Sequence, residues 1–228
     1  FTGGEPFMNP HVFSMIERAL ERGASALVLT NAMQPMMRPR VQSALSATID
    51  KWGARIALRV SLDHYSRDGH DAERGAGAFD IALKGLSWLS EKGASLSIAG
   101  RSALHESEDD ARRGFQALFD ENSLDIDAAD PEALVLFPEM ETDADPPEIT
   151  TKCWTILNRD PADLMCASSR MAVKRKSAEA PSVLACTLIP YSEDFELGGS
   201  LEEAARPVKL NHPHCATFCV LGGSSCSG

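Results

Sequence analysis

The sequence predicts an α/β fold in which a parallel β-sheet with alternating helices occupies residues 1–147. A small Cys-rich extension with a β-hairpin is predicted over residues 148–228. Two observations support this division. Short apolar runs of strand length alternate with amphipathic segments through the first two-thirds of the chain. All six cysteines, beginning with Cys153, lie in the last third.

The predicted elements of the first part follow one another in strictly alternating order. Asn9 and Pro10 are typical of a helix N-terminus, whereas Gly23, Gly53 and Gly93 each follow the end of a predicted helix. Strands that alternate with helices of this length indicate βαβ units and a parallel sheet. The predicted helices cover residues 10–22, 41–52, 79–92 and 109–119. One predicted strand ends at Phe1, and four more cover residues 26–29, 56–62, 96–99 and 134–137.

The pattern changes near residue 148. Residues 148–157 fit either a strand or a helix, whereas residues 168–173 and 183–188 flank a turn at 177–181, as the strands of a hairpin do. The tail from Asn211 onward is rich in Gly, Ser, His and Cys and is predicted to be irregular.

Composition narrows the class of protein. The 228 residues carry a formal net charge of -11, so generic nucleic-acid binding is not expected. A basic cluster in the predicted hairpin is interpreted as a solvated face; it consists of Arg170, Lys174, Arg175 and Lys176. No apolar run is long enough to cross a bilayer and no signal peptide opens the chain, so we expect a reducing, cytoplasmic compartment and no membrane partner. Because the chain does not begin with Met, we expect a piece of a longer protein.

Three polar segments follow the ends of successive predicted strands. In the first, two glycines would let a ligand approach the backbone closely, and the adjacent acid could bind an ammonium group. A plain strand-to-helix turn is the alternative. The candidate ligand-binding residues are Thr2, Gly3, Gly4, Glu5 and Pro6 in the first segment, Thr30 and Asn31 in the second, and Arg59, Ser61 and Asp63 in the third.

In this order, the three segments resemble the strand-end motifs of the radical S-adenosylmethionine (SAM) superfamily. Residues 2–6 resemble its second-strand GGEP motif, whose backbone and carboxylate contact the aminomethionyl end of SAM. Residues 29–32 resemble its third-strand end, and residues 59–63 its fourth-strand segment, which reaches the SAM carboxylate or ribose. The resemblance covers about residues 1–145. It implies strands two to six of a partial (β/α)6 barrel that lacks its first βα unit.

The resemblance also implies a reaction. In this family a [4Fe–4S] cluster on a Cys-x3-Cys-x2-Cys loop binds SAM, and one electron cleaves SAM to methionine and a 5′-deoxyadenosyl radical that abstracts hydrogen from a substrate. This chain has no such triplet. We therefore expect the cluster ligands upstream and no activity from the chain alone. The implied partners are an unknown small-molecule or peptide substrate and an electron donor such as flavodoxin or ferredoxin.

The cysteines of the last third form a second candidate site. Cys215, Cys219 and Cys226 have a spacing that suits an iron–sulfur cluster or zinc, with free structural cysteines as the alternative. Cys166 and Cys186 bracket the predicted hairpin, and the set resembles the twitch or SPASM extensions of radical SAM enzymes. The resemblance implies an auxiliary [4Fe–4S] cluster on Cys166 or Cys186 plus the tail triplet.

Other polar and sulfur-containing residues have two interpretations each. Those of a Gly-rich loop after the fourth-strand segment are either solvated or contact substrate, and two acids after the last strand could reach the mouth of the barrel. Cys153 is expected to be a buried core thiol, and three methionines are expected to be gap-filling core or loop contacts rather than a copper site. The loop residues are His64, His70, Asp71 and Arg74; the acids are Glu139 and Glu141; the methionines are Met33, Met36 and Met37.

Two other functions remain open. One is a non-catalytic zinc- or iron–sulfur-binding α/β protein. The other is a nucleotide- or phosphate-binding enzyme of the TIM-barrel type, in which the segment at residues 2–6 is only a turn.

Overall fold

A computed structural model of the chain describes residues 1–102, 106–138, 146 and 148–222. The chain divides into two compact units, Phe1–Glu139 and Met140–Gly228. Within the described ranges, no helix is both long and apolar enough to span a membrane. The assignment of residues 148–228 to a cluster-binding extension stays a prediction.

The first unit is built on a parallel sheet whose four strands lie side by side in chain order. This confirms the predicted α/β class with a parallel sheet, whereas closure into a barrel stays a prediction. Phe1 pairs with the edge strand, because its ammonium donates to the Leu27 carbonyl (2.6 Å) and its carbonyl accepts from the Leu29 amide (2.9 Å). The strands are β1 (Ala26–Thr30), β2 (Ile56–Ser61), β3 (Ser95–Ser102) and β4 (Leu134–Pro138).

Five helices accompany this sheet, and two of them differ from the prediction. The first begins two residues late because the Asn9 side chain accepts from the His11 amide (2.9 Å) and forms a turn before the helix. Residues 67–74 were predicted as loop, which is wrong: Ser66 caps a short helix by accepting from the Gly69 amide (3.2 Å). The helices are α1 (Val12–Glu21), α2 (Pro39–Trp52), α3 (Arg67–Arg74), α4 (Ala78–Glu91) and α5 (Glu108–Glu121).

The two faces of the sheet differ in chemistry because side chains alternate along each strand. One face is apolar and packs with the helices into a single core. The other carries Arg59, Ser61 and Ser97 among smaller apolar residues, and the strand register places Leu29, Arg59 and Ser97 side by side. Arg59 and Ser61 therefore occupy the face opposite the helical core, whereas Thr30, which pairs with Val60, lies on the helix-packed face. Core residues on the helix-packed face are Val28, Leu58, Val60, Ile98 and Leu134.

The second unit contains a three-stranded antiparallel sheet. Its first two strands confirm the predicted hairpin, with Ala172 opposite Val183, although they are shorter than predicted. Residues 152–156 form a helix, and the tail contains a π-helical segment (Cys215–Leu221) where an irregular chain was predicted. The strands are β5 (Met171–Val173), β6 (Ser182–Leu184) and β7 (Glu196–Gly198), and the helices are α6 (Lys152–Ile156), α7 (Met165–Ser168) and α8 (Leu201–Ala204).

The basic cluster of the hairpin is not simply a solvated face. The Arg170 guanidinium donates to four backbone carbonyls, at 2.8–3.0 Å, and so ties together the chain on both sides of the sheet. Arg175 pairs with Glu196 (3.0 Å). The prediction of a solvated role is therefore wrong for Arg170 and Arg175. The carbonyls are those of Cys166, Ser169, Ala204 and Arg206.

Candidate functional site

The glycine turn at the start of the chain leaves its backbone open. Gly3 and Gly4 have positive φ angles of 100° and 57°, conformations that favour glycine. Both are exposed, as is Thr2, and a β-carbon added to either glycine would meet no atom within 4 Å. Pro6 is buried and opens a short 3-10 turn (Pro6–Met8). A ligand can therefore reach the peptide groups of this turn.

The Glu5 carboxylate joins this turn to the end of β1. It accepts from the Thr30 hydroxyl (3.0 Å to each oxygen), from the Asn31 amide (2.9 Å) and from the Phe7 amide (3.2 Å). Hydrogen bonds to an ionised acceptor are stronger than those between neutral groups. The first two predicted segments are therefore brought together and held by one acid.

The turn that follows β1 is supported by helix α4. The Asn31 side chain accepts from the Met33 amide (2.9 Å), and Ala32 has a positive φ of 54°. Gly85 of α4 lies directly against this turn, because a β-carbon there would be 1.9 Å from the Ala32 carbonyl oxygen. A glycine at this position is what allows the helix to approach.

The third predicted segment lies on β2 and just beyond it. Arg59 is buried (5% exposed), and its Nε donates to the Ser97 hydroxyl (3.0 Å). Ser61 ends β2 on the same face as Arg59 and is half-buried. Arg59 and Ser61 therefore lie on the same face of β2, close to the carboxyl end of that strand. Both side chains can donate hydrogen bonds and are candidates for contacts to an anionic or hydroxyl group.

Asp63, by contrast, is already surrounded by donors. It is 5% exposed, and its carboxylate pairs with Arg74 through two nitrogens and with Arg101 Nε at 3.3 Å. Its backbone amide donates to His70 Nδ1 (3.1 Å), and its carbonyl accepts from the Arg101 amide (2.9 Å). Asp63 therefore links β2, α3 and the end of β3.

This environment shifts the pKa values of the linked groups. Burial acts to raise the pKa of Asp63, but Arg74, Arg101 and His70 together outweigh it and hold that pKa below its usual range. The hydrogen bond between Arg74 and Asp63 raises the pKa of Arg74. Burial lowers the pKa of His70 despite the attraction of Asp63. Asp63 is thus an ionised structural acid.

The residues predicted for the loop after β2 have structural partners. His70 is buried in α3, Asp71 accepts from the Gly77 (2.7 Å) and Phe79 (2.8 Å) amides at the start of α4, and Arg74 holds Asp63. The solvated-loop interpretation is wrong for these three side chains.

Two functional partners escaped the sequence prediction. Ser97 bonds Arg59, and Arg101 bonds Asp63. The available signal was the spacing of Ser97 and Arg101 along β3, because residues an even number apart lie on the same face of a strand.

The cysteines of the second unit gather only in part. Cys215 is buried in the core of this unit and Cys186 packs against that core. Burial raises the pKa of both Cys166 and Cys215, and the nearby Cys186 thiol adds to each rise. Cys219 lies four residues along the π-helical segment. Three of the predicted ligands thus share one neighbourhood.

These thiols do not form a finished metal site. In the described part of the chain, no group of three or more His, Cys, Asp or Glu side chains has an arrangement that could hold a metal ion. Cys226, Glu139 and Glu141 lie outside the described residues.

Two predictions about sulfur-containing residues have different outcomes. Cys153 is only partly buried, so the expectation of a buried core thiol is wrong. The expectation that Met33, Met36 and Met37 fill gaps is confirmed, because Met36 is fully buried and the other two pack against the core.

Comparisons with known proteins find relatives for part of the chain. It is 30% identical over 91 residues to the mycofactocin maturase MftC of Mycobacterium tuberculosis, covering 40% of this chain and 22% of MftC. It is 28% identical over 113 residues to the AdoMet-dependent heme synthase of Nitratidesulfovibrio vulgaris, covering 48% of this chain and 29% of that protein. The matches thus span less than a third of either relative. No protein-family model matches the chain.

One solved structure is similar over most of the chain. SuiB of Streptococcus suis, crystallised with SAM, superposes with a TM-score of 0.49 and 13% identity, covering 86% of this chain and 50% of SuiB. The strand-end motifs of the chain resemble, in their order, those of the radical SAM superfamily, and the matched residues are similar to these two relatives.

Proposed function

We propose that this chain supplies the SAM-binding part of an enzyme that cleaves SAM reductively and abstracts hydrogen from an organic substrate. One observation carries the proposal: the Glu5 carboxylate fixes the open glycine turn against the Thr30–Asn31 end of β1. The relative named AdoMet-dependent heme synthase supports the cofactor, by its name.

The residues at this edge suit the two charged ends of an amino acid. Peptide carbonyls of the exposed Gly3–Gly4 turn can accept from an ammonium group, and the Arg59 and Ser61 side chains can donate to a carboxylate. Glu5 and Asp63 instead spend their oxygens on donors inside the protein. We assign these two acids to holding the site in shape.

A bound [4Fe–4S] cluster and SAM would supply the carbon radical that removes hydrogen from the substrate. We expect the cluster ligands outside this chain, an electron donor such as flavodoxin or ferredoxin, and a cytoplasmic location. The chain's own part would be to orient SAM and exclude water at the sheet edge. One relative is named a maturase and the other a heme synthase, so the substrate is proposed only as a small molecule or a peptide.

For residues 148–228 we propose an auxiliary iron–sulfur cluster. The shared neighbourhood of Cys166, Cys186 and Cys215 supports it, and Cys219 or Cys226 would complete the ligand set. Thiolates are the ligands that such clusters require. Burial raises the pKa of Cys166 and Cys215, so a metal bound by these two thiols would have to displace their protons.

The test uses the whole gene product that contains this chain, reconstituted anaerobically with iron and sulfide. We expect broad visible absorbance that dithionite bleaches, and release of 5′-deoxyadenosine and methionine when SAM and dithionite are added. A colourless zinc protein would contradict the proposal. So would a gene that lacks a Cys-x3-Cys-x2-Cys segment upstream of Phe1.

A pair of matched variants tests the contribution of this sheet edge. Arg59→Gln removes the charge on β2, and we expect SAM binding to weaken at least about tenfold. Arg40→Gln makes the same change at an exposed position of α2 and should leave SAM binding unchanged. Equal affinities for both variants would rule out a role for Arg59.

A further inference from the structure

Three side chains at the carboxyl edge of the sheet form a group that the proposed SAM contacts do not use. His64 and Tyr65 follow β2, and Glu106 precedes α5. The Tyr65 hydroxyl donates to Glu106 Oε1 at 2.6 Å, a short hydrogen bond to a carboxyl oxygen. This hydrogen bond, with burial, raises the pKa of Tyr65, so the phenol stays a donor.

The second carboxylate oxygen of Glu106 is the unusual feature. Oε2 is buried and, among the described residues, has no hydrogen-bond partner. An unsatisfied buried acceptor is unfavourable, and most native structures avoid it. His64 Nε2 lies 3.9 Å from Oε2, which is too far for a hydrogen bond.

The tautomer of a neutral His64 ring follows from the hydrogen bond that its Nδ1 atom accepts. Nδ1 accepts from the Ser66 backbone amide (2.9 Å), which can only donate. In the neutral ring the proton therefore sits on Nε2. The Nε2–H donor of His64 and the Oε2 acceptor of Glu106 are therefore neighbours that do not form a hydrogen bond, and a gap of 3.9 Å separates the two atoms.

The rings around this gap are accommodated by two glycines. A β-carbon at Gly69 of α3 would lie 2.5 Å from the His64 ring, and one at Gly114 of α5 would lie 2.6 Å from the Tyr65 ring. The two rings also stack on one another, with centroids 4.2 Å apart. The positions of both rings are therefore set by two different helices.

The chemistry of the gap selects one kind of ligand group. A hydroxyl can accept from Nε2–H and donate to Oε2 at the same time, whereas an ammonium group has no lone pair for Nε2–H. Because 3.9 Å leaves no room on the line between the two atoms, the hydroxyl has to lie to one side. The side chains of His64 and Glu106 are 20% and 14% exposed, so a small displacement of the His64 ring would open this path.

We propose that His64, Tyr65 and Glu106 form a binding site for the hydroxyl group of a ligand, with His64 as donor, Glu106 as acceptor and Tyr65 holding Glu106. The hydroxyl belongs either to the ribose of SAM or to a separate alcohol. The site does not depend on the proposed reaction, since its geometry is complete without SAM chemistry.

The test follows the side-chain nitrogen resonance of His64 by NMR while SAM, 2′,3′-dideoxy-SAM or glycerol is added to the whole gene product that contains this chain, reconstituted anaerobically. In the wild-type protein we expect a saturable shift with SAM, with glycerol, or with both. A shift with SAM but not with the dideoxy compound assigns the hydroxyl to ribose, and a shift with glycerol assigns it to a separate alcohol. If none of the probes moves the resonance, the proposal is overturned.

Two variants separate this site from the SAM site. Glu106→Gln turns the acceptor toward His64 into a donor, and we expect the responsive probe to bind about tenfold more weakly, equivalent to about 1.4 kcal/mol. Glu108→Gln, on an exposed side chain of α5, is the matched control and should change nothing. Equal binding in Glu106→Gln and wild type, with both folded by circular dichroism, would also overturn the proposal. Binding of glycerol without any binding of SAM would reject the proposed function and leave this site standing.

Discussion

Replacing Thr30 with valine tests whether the Glu5 junction holds the sheet edge together. The change keeps the shape and removes the hydroxyl, which donates to Glu5 and accepts from the Ala32 amide (3.1 Å). A hydrogen bond to a charged group contributes about 1.5–3 kcal/mol, and a buried amide left without an acceptor costs about 1–3 kcal/mol. Because Glu5 keeps two amide donors, we expect a loss of about 3 kcal/mol rather than the full sum.

Thr48→Val is the matched control for this prediction. Thr48 is also buried, but its hydroxyl only donates to the Ala44 carbonyl of its own helix (2.8 Å), so its removal should cost less than about 1 kcal/mol. Urea unfolding followed by tryptophan fluorescence measures both changes. In a Trp154→Phe background the signal comes from the first unit, which contains Trp52 and Trp88. If Thr30→Val loses no more than Thr48→Val, Glu5 does not depend on the hydroxyl.

Two further predictions concern packing and pH. Gly85→Ala should destabilise the chain by about 3 kcal/mol or more, because the added carbon would lie 1.9 Å from the Ala32 carbonyl oxygen; Gly199→Ala, which meets no atom within 4 Å, should leave the thermal midpoint unchanged. His70 has a pKa lowered from 6.5 by burial, so the unfolded chain binds its proton first. The free energy of unfolding should be highest above pH 6.5. It should fall as the pH drops from 6.5 through the pKa of His70 in the folded protein, by up to about 1.4 kcal/mol per pH unit. A flat urea midpoint from pH 7 to 5 would contradict this, and His70→Gln should remove the slope.

The sequence predicted the sheet because its signal is local. Each strand is a short apolar run with glycines near the helix ends, and the four observed strands overlap the predicted positions. Helix α3 was missed because five of its eight residues are charged and His70 is its one buried residue, so no apolar stripe marks it. Ser66 was the one usable signal, as a cap residue before a helix.

The site was predictable as a set of strand ends but not as a set of contacts. That Glu5 and Thr30 belong to one edge follows from parallel topology, whereas the bond between them joins residues 25 apart. The pairing of Tyr65 with Glu106, 41 residues apart, has no local signal at all. Such contacts depend on how adjacent loops pack, and two glycines on different helices determine that packing here.

The protein partners of the two motif acids limit what these acids can offer a ligand. The Asp63 carboxylate already faces the guanidinium groups of Arg74 and Arg101. A ligand cation at Asp63 would therefore have to displace an arginine from this carboxylate. The open backbone of Gly3 and Gly4 carries no such penalty. We therefore propose that peptide groups and β2 side chains contact the ligand at this edge, and that the two acids hold those groups in place.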